Sequence, residues 1–384
     1  MLSKQIVVVE PGANIESGHY REKLSLWESG FRLSGWSVFV ACLEKPEPEF
    51  LPEAGFRPLS WFQTSLGRLL PGPLKTSWLL FCAYCLAFRF AKQIAAPVLG
   101  LTTTTVLPVV MARLWMRAAS VPFAQILMYG NSFDQKTPKP KRVLTRIGLD
   151  VLLRSGAIIF PNTERTRQSL VAQTQEVGLR DRIITLYDPA FIPEKRLSIS
   201  EKQRKAILLI SGTDDARRSP LSHLRRAQLP DPPDTLWIHA PGKAEQDILC
   251  KSGPEMGASL KVFATYRTGE AFAELFASAT WSLVAYNPAF LQGSGLLAQS
   301  LAGGTPVLCS RFSHAEELFA RFGKLGELFS FGDIDDFHKA WLRLRHWTSA
   351  EWQEFEKASS QFIEEVNAES TIGKVIPYFG KVAV

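Results

Sequence analysis

Five cysteines in 384 residues are too few to cross-link a fold of this size, so a disulfide scaffold is excluded and a reducing compartment is expected. Long apolar runs are also scarce. The N-terminus, MLSKQIVVVEPGANIES, meets Glu10 early and lacks the extended apolar core of a signal peptide. The stretch 78–88 (WLLFCAYCLAF) is uncharged for only 11 residues before Arg89 ends it. A second uncharged stretch, 94–112, is nearly long enough to span a bilayer. It contains Pro97, Gly100, four consecutive threonines and Pro108, which describe a strand, a polar turn and a helix better than one helix. Absent too are HExxH, GxSxG, clustered metal-type carboxylates, a GxGxxG dinucleotide fingerprint and a GxxxxGK phosphate loop. The lone CxxC, Cys82 to Cys85, has no partner pair and sits in an apolar helical pattern, so it reads as core.

What the chain does have is 46% hydrophobic residues, ordinary for a globular protein, and a length that suggests two domains. Its formal net charge is +7, with basic clusters at 136–142 (KTPKPKR), 202–205 (KQRK), Arg217-Arg218 and Arg225-Arg226. A modest positive excess suits phosphorylated small molecules or anionic lipid. No zinc-finger spacing or RNA-binding aromatic signature accompanies it, so nucleic acid is not an expected partner. The apolar run at 78–88, flanked by Lys75, Arg89 and Lys92, adds an expectation of peripheral membrane contact to an otherwise cytoplasmic protein.

Strand and helix patterns alternate along the chain. Short apolar runs at 5–9 (QIVVV), 36–42, 98–101, 123–128, 157–160 and 183–187 read as strands buried on both faces of a parallel sheet. Helical spacing covers 20–34, 77–92 and 143–153. The polar stretch 192–205 has no apolar periodicity and reads as a linker. Beyond it the pattern restarts, with strands at 206–210, 235–239, 260–263, 281–285 and 306–308 and helices at 269–278, 295–302, 334–347 and 350–367. The expected fold is α/β, two Rossmann-like doubly wound domains facing a ligand cleft.

Two loops carry candidate chemistry. The first, 10–20 (EPGANIESGHY), follows the first strand and opens the first helix; Gly12 and Gly18 permit close backbone approach. In the second, Gly293, Ser294 and Gly295 open a short helix that ends at Gly303-Gly304. Helix N-terminal amides aimed outward from such a turn suit a diphosphate.

The stretch 267–307, RTGEAFAELFASATWSLVAYNPAFLQGSGLLAQSLAGGTPV, resembles the donor-binding core of retaining GT-B glycosyltransferases of the glycogen-synthase-like, family 4 type. The segments 17–40, 158–170 (IIFPNTERTRQSL), 208–227 and 326–341 resemble further blocks of that family in order, so the likeness covers nearly the whole chain. It implies an N-terminal acceptor-side domain over 1–190, a nucleotide-sugar domain over 191–350, and a helical segment, 351–384, crossing back to the first domain. The implied activity is metal-independent, retaining transfer from a nucleotide-diphosphate sugar to a hydroxyl of a carbohydrate or lipid-linked acceptor, in cell-surface polysaccharide or glycolipid synthesis, on the inner face of the membrane. No cofactor is implied.

Carried over residue by residue, the basic pair that grips the donor diphosphate falls on Arg217 and Arg218, whose guanidinium groups suit bidentate donation. Gly18 and the turn Gly293, Ser294 and Gly295 match the family's glycine-rich turns. The second acid of its E-x7-E motif falls on Gln299, and the first falls near Leu291 or Gln292, so neither acid is present. Glu317 matches a further glutamate on the next helix. The family's N-domain histidine has one candidate, His19, because no other histidine precedes His223; Asn131 and Asp134 are the alternative polar groups. The missing acids favour one rival reading, a non-catalytic sugar-nucleotide-binding protein. A sugar-nucleotide 2-epimerase, which shares the architecture, is another.

Overall fold

A computed structural model describes residues 4–13, 19–47, 49–103, 106–127, 139–212, 215, 218–241, 258–265, 267, 269–290 and 292–380. The chain forms two compact units, Met1–Pro189 with Ala368–Val384, and Ala190–Asn367. In chain order the first contains β1 (Lys4–Val9), α1 (His19–Leu33), β2 (Trp36–Cys42), β3 (Gly55–Pro58), α2 (Trp61–Arg68), α3 (Gly72–Ile94), β4 (Val98–Thr103) and α4 (Leu107–Trp115). It continues with β5 (Phe123–Leu127), α5 (Lys139–Arg154), β6 (Ile158–Pro161) and α6 (Glu164–Gln173). The second contains α7 (Ile199–Lys205), β7 (Ile207–Ser211), α8 (Pro220–Ala227), β8 (Thr235–His239), β9 (Ser259–Phe263), α9 (Gly269–Ala277) and β10 (Trp281–Val284). After these come α10 (Gly295–Ala302), β11 (Val307–Ser310), α11 (Ser313–Phe322), β12 (Gly326–Phe329), α12 (Ile334–Arg345) and α13 (Ser349–Val366). The chain then returns to the first unit as α14 (Ala368–Gly380).

Each unit holds a six-stranded parallel sheet, ordered β3-β2-β1-β4-β5-β6 in the first and β9-β8-β7-β10-β11-β12 in the second. The first strand of each half therefore lies at the centre, and the order reverses between it and the fourth. That reversal opens a crevice at the strands' carboxyl ends, where ligands bind in doubly wound sheets. The apolar run of β1 is explained by covering on both faces. Ile6 and Val8 pack with Leu24, Trp27 and Phe31 of α1 and Ile372 and Val375 of α14. Val7 and Val9 pack with Tyr84 and Phe88 of α3.

By length and composition α3 could cross a membrane. One face of it, carrying Tyr84, Ala87, Phe88 and Ala91, instead belongs to the core. The Tyr84 hydroxyl donates to Gln125 Oε1 on β5 at 2.5 Å, and Gln125 Nε2 donates to the Gly100 carbonyl at 3.1 Å, which accounts for a buried glutamine in a central strand.

Three sequence expectations are corrected. Residues 183–187 form no regular strand: Ile183 makes an isolated bridge to Ile159, and although the Ile184 and Leu186 N–H groups donate to the Ile159 and Pro161 carbonyls at 3.0 Å, Pro161 has no N–H to donate back and the ladder stays incomplete. The stretch 192–205 is not all linker. Ser198 and Glu201 form a reciprocal cap that starts α7, and Lys202 on that helix is buried. The segment 351–384 does not return as one piece. The apolar face of α13 (Trp352, Phe355 and Phe362) is buried in the second unit, where Ser359 Oγ donates to the Leu301 carbonyl at 2.9 Å; α14 alone lies in the first.

Candidate functional site

In the second unit, β7 ends at Ser211 and the chain turns through Gly212 at φ +88°, in the left-handed region that favours glycine. The Gly212 N–H donates to the His239 carbonyl at 2.7 Å, holding the turn against the end of β8. Beneath it, His239 Nδ1 lies 3.1 Å from Ser211 Oγ, and burial, helped by Arg267, pushes the imidazole pKa down to about 4. A Cβ at residue 212 would overlap the Arg218 guanidinium, so the glycine is also what lets Arg218 fold back over the strand end.

Arg218 is half-buried. Its Nη1 donates to the Ser211 carbonyl at 3.4 Å and its Nε lies 3.3 Å from Asp215 Oδ2. The Arg218 N–H donates to Asp215 Oδ1 at 3.1 Å, so backbone and side chain of this turn brace each other. Arg218 also forms an antiparallel bridge with Tyr286, and the Ser219 N–H donates to the Ala285 carbonyl at 3.1 Å. The loops after β7 and β10 are thus tied together at the point where the sheet order reverses. Just beyond, buried His223 donates from Nδ1 to the Ser219 carbonyl at 2.8 Å and accepts at Nε2 from the Gly332 N–H at 3.0 Å, anchoring the far end of the loop.

The loop after β10 builds the other wall. Tyr286 stacks on Phe290 with centroids 4.2 Å apart, and Phe312 packs against both rings. Ser310 Oγ accepts from the Tyr286 N–H and donates to the Tyr286 carbonyl, both at 2.8 Å, which fixes the base of this aromatic group. The chain then reaches the predicted turn. Ser294 is the N-cap of α10, and its Oγ accepts from the Leu297 N–H at 3.1 Å. The Ser294 N–H donates to His314 Nδ1 at 2.9 Å, so that imidazole is neutral with its proton on Nε2. The first helical amides, at Gly295 and Leu296, have no intrahelical carbonyl to reach, and they carry the positive end of the α10 dipole.

The structure places the remaining sequence candidates as follows. Gln299 is buried on α10, and its Nε2 donates to the Phe191 carbonyl at 2.7 Å, so one of its two amide hydrogens is committed within the unit. Glu317 is half-buried on α11, one turn beyond His314. His19 is the first residue of α1 in the other unit. Arg217, Gly18, Asn131 and Asp134 lie outside the described residues. Arg218 and the Gly293–Gly295 turn therefore lie on the loops that follow two neighbouring strands, β7 and β10, of one sheet. Among the described residues no group of His, Cys, Asp or Glu has the arrangement of a metal site.

Several contributors escaped sequence reasoning. The Tyr286–Phe290–Phe312 group and His314 carry no motif; proximity to the glycine turn was their only signal. Glu10 is fully buried at the end of β1, where its Oε1 accepts from the Gly12 N–H at 3.0 Å. An acid directly after an apolar strand run was a legible sign of it.

Taken with its two sheets, this arrangement is that of the GT-B fold. No known family profile matches the sequence, and no curated protein does. Among solved structures, Anabaena HepE in complex with UDP-glucose superposes with a TM-score of 0.67 at 12% identity, covering 98% of this chain and 99% of that one. Sucrose-phosphate synthase from Thermosynechococcus elongatus gives 0.69 at 13% identity over 99% and 100% of the two chains. A glycosyltransferase from Rickettsia africae gives 0.68 at 9% identity over 100% and 99%.

Proposed function

We propose that the protein is a retaining glycosyltransferase that binds a nucleotide-diphosphate sugar in its second unit and transfers the sugar to a hydroxyl of a carbohydrate or glycolipid acceptor. The observation that carries this reading is the convergence of Arg218 and the N-terminus of α10 on one strand-order reversal. A departing diphosphate needs preorganised positive charge and N–H donors at that place, and neither requires a metal. The UDP-glucose held by the HepE structure supports the ligand class. Asp215 pairs with Arg218, so a diphosphate has to share or displace that carboxylate.

Calorimetric titration with UDP, GDP and ADP tests the reading. Arg218→Ala should weaken the best of them by roughly 2–4 kcal/mol, the cost of removing a charged partner from a desolvated site. Equal affinity of wild type and variant would remove Arg218 from the donor site. Retention is read from the anomeric configuration of the product by NMR. A second reading, binding without turnover, is favoured by the neutral, internally committed Gln299. Donor hydrolysis by the purified protein would exclude it.

A further inference from the structure

The first unit carries an apolar groove of about 1090 Å³ between α2, α3, α4 and α5. Its walls include Phe62, Leu74, Trp78, Met111, Trp115 and Leu144, and its volume lies at the upper end of small-molecule sites. On its floor, burial pushes the thiols of Cys82 and Cys85 up to about 11 and about 12, so both stay protonated and uncharged. The rim is exposed hydrocarbon and aromatic surface: Trp61 is 80% exposed, Leu69 82% and Trp115 76%. Single exposed apolar residues are ordinary, but a contiguous set on four neighbouring helices marks a docking surface.

Charge identifies what docks. Residues 54–154, which contain all four helices, hold thirteen Lys and Arg and two acids, Asp134 and Asp150. This segment alone carries +11 in a chain whose total is +7, so the remainder is net acidic. Lys75 on α3 and Arg117 just after α4 are exposed beside groove-lining residues. An apolar groove set in a basic segment complements a layer with anionic headgroups outside and hydrocarbon inside. The sequence pointed to 78–88 as the membrane-facing segment. The structure divides that segment: Tyr84, Ala87 and Phe88 are core, Trp78 and Phe81 line the groove, and the most exposed apolar surface comes from α2, the start of α3, α4 and α5.

We propose that this face docks on an anionic phospholipid bilayer and that one acyl chain lodges in the groove against Trp78. The inference uses no residue of the donor site, so its failure leaves the proposed function standing, and the reverse holds too.

The test is flotation of the full chain with vesicles of phosphatidylcholine alone or mixed with phosphatidylglycerol. The wild type should partition at least ~10-fold more strongly onto the anionic vesicles, and high salt should weaken that binding. Trp61→Ser with Trp115→Ser removes only exposed surface and should cut partitioning ~10-fold or more. Lys75→Glu with Arg117→Glu should lower binding to anionic vesicles and leave the weak binding to neutral ones unchanged. Phospholipids brominated on the acyl chain should quench tryptophan fluorescence, and Trp78→Phe should remove part of that quenching. No binding, equal binding to both vesicles, or binding unchanged in the tryptophan pair would overturn the proposal. Quenching unaffected by Trp78→Phe would overturn the groove as the chain's seat, and a dimer that buries Trp61 and Trp115 would assign the face to a second copy.

Discussion

Replacing Lys202 with methionine should change how the stability of the second unit depends on pH. Lys202 is buried on α7, and its Nζ donates to the carbonyls of Gly303 and Gly304 and to Thr305 Oγ1, within the GGTPV block. Burial pushes its pKa down from 10.5 to about 7, Arg196 adds to the fall, and Glu356 opposes it. The unfolded chain keeps a lysine proton up to the ordinary range, so above pH 7 it binds more protons than the folded state. Stability therefore rises with pH through that window, by about 2 kcal/mol between pH 7 and pH 9. The buried cysteines act in the opposite sense: their folded pKa values are raised, so their contribution is present below about pH 9 and fades above it. Those groups are common to wild type and Lys202→Met, and the difference between the two proteins isolates the lysine. Methionine leaves three acceptors without their amine, which should cost about 1–3 kcal/mol. On top of that cost, the gap between wild type and variant should widen by about 2 kcal/mol from pH 7 to pH 9 in urea titrations at fixed salt. A gap constant to within about 0.5 kcal/mol would mean that the three acceptors hold Lys202 charged throughout, and the reasoning would fail.

Gly212→Ala should destabilise the protein by about 1–2 kcal/mol, because it forces a left-handed φ on a residue with a Cβ. It should also weaken nucleotide binding, because that Cβ occupies the space of the Arg218 guanidinium; a melting curve and a UDP titration read the two effects separately. Gln299→Glu should set a carboxylate against the Phe191 carbonyl and cost about 1–3 kcal/mol at neutral pH. The buried acid's folded pKa is then raised, so the deficit should shrink at low pH, where the protonated acid can donate; denaturation at pH 5 and pH 7 checks this. Tighter nucleotide binding with no loss of stability would show that the Gln299 amide is not committed to Phe191.

Much of the fold was legible because strands buried on both faces read as short unbroken apolar runs, as QIVVV does for β1 and AILLI for β7. β3 was missed because GFRP is a short edge strand with half its residues exposed. α7 was missed because its polar surface hid one buried lysine, although its Ser198–Glu201 cap was readable.

The site divides in the same way. The glycine turn at Gly293–Gly295 and the arginine at 218 are local patterns, and local patterns survive in a sequence. That their loops leave neighbouring strands depends on β7 lying beside β10, an adjacency that joins residues some seventy positions apart and leaves no mark on either segment. His314, Phe312 and Phe191 enter the neighbourhood only through packing of separate elements. The groove of the first unit shows the limit most clearly. The charge asymmetry of residues 54–154 can be counted from the sequence, but the apolar wall is assembled from single faces of four helices. Composition fixes how much apolar surface a chain carries; only tertiary packing decides which part of it the core covers and which part is left to meet something else.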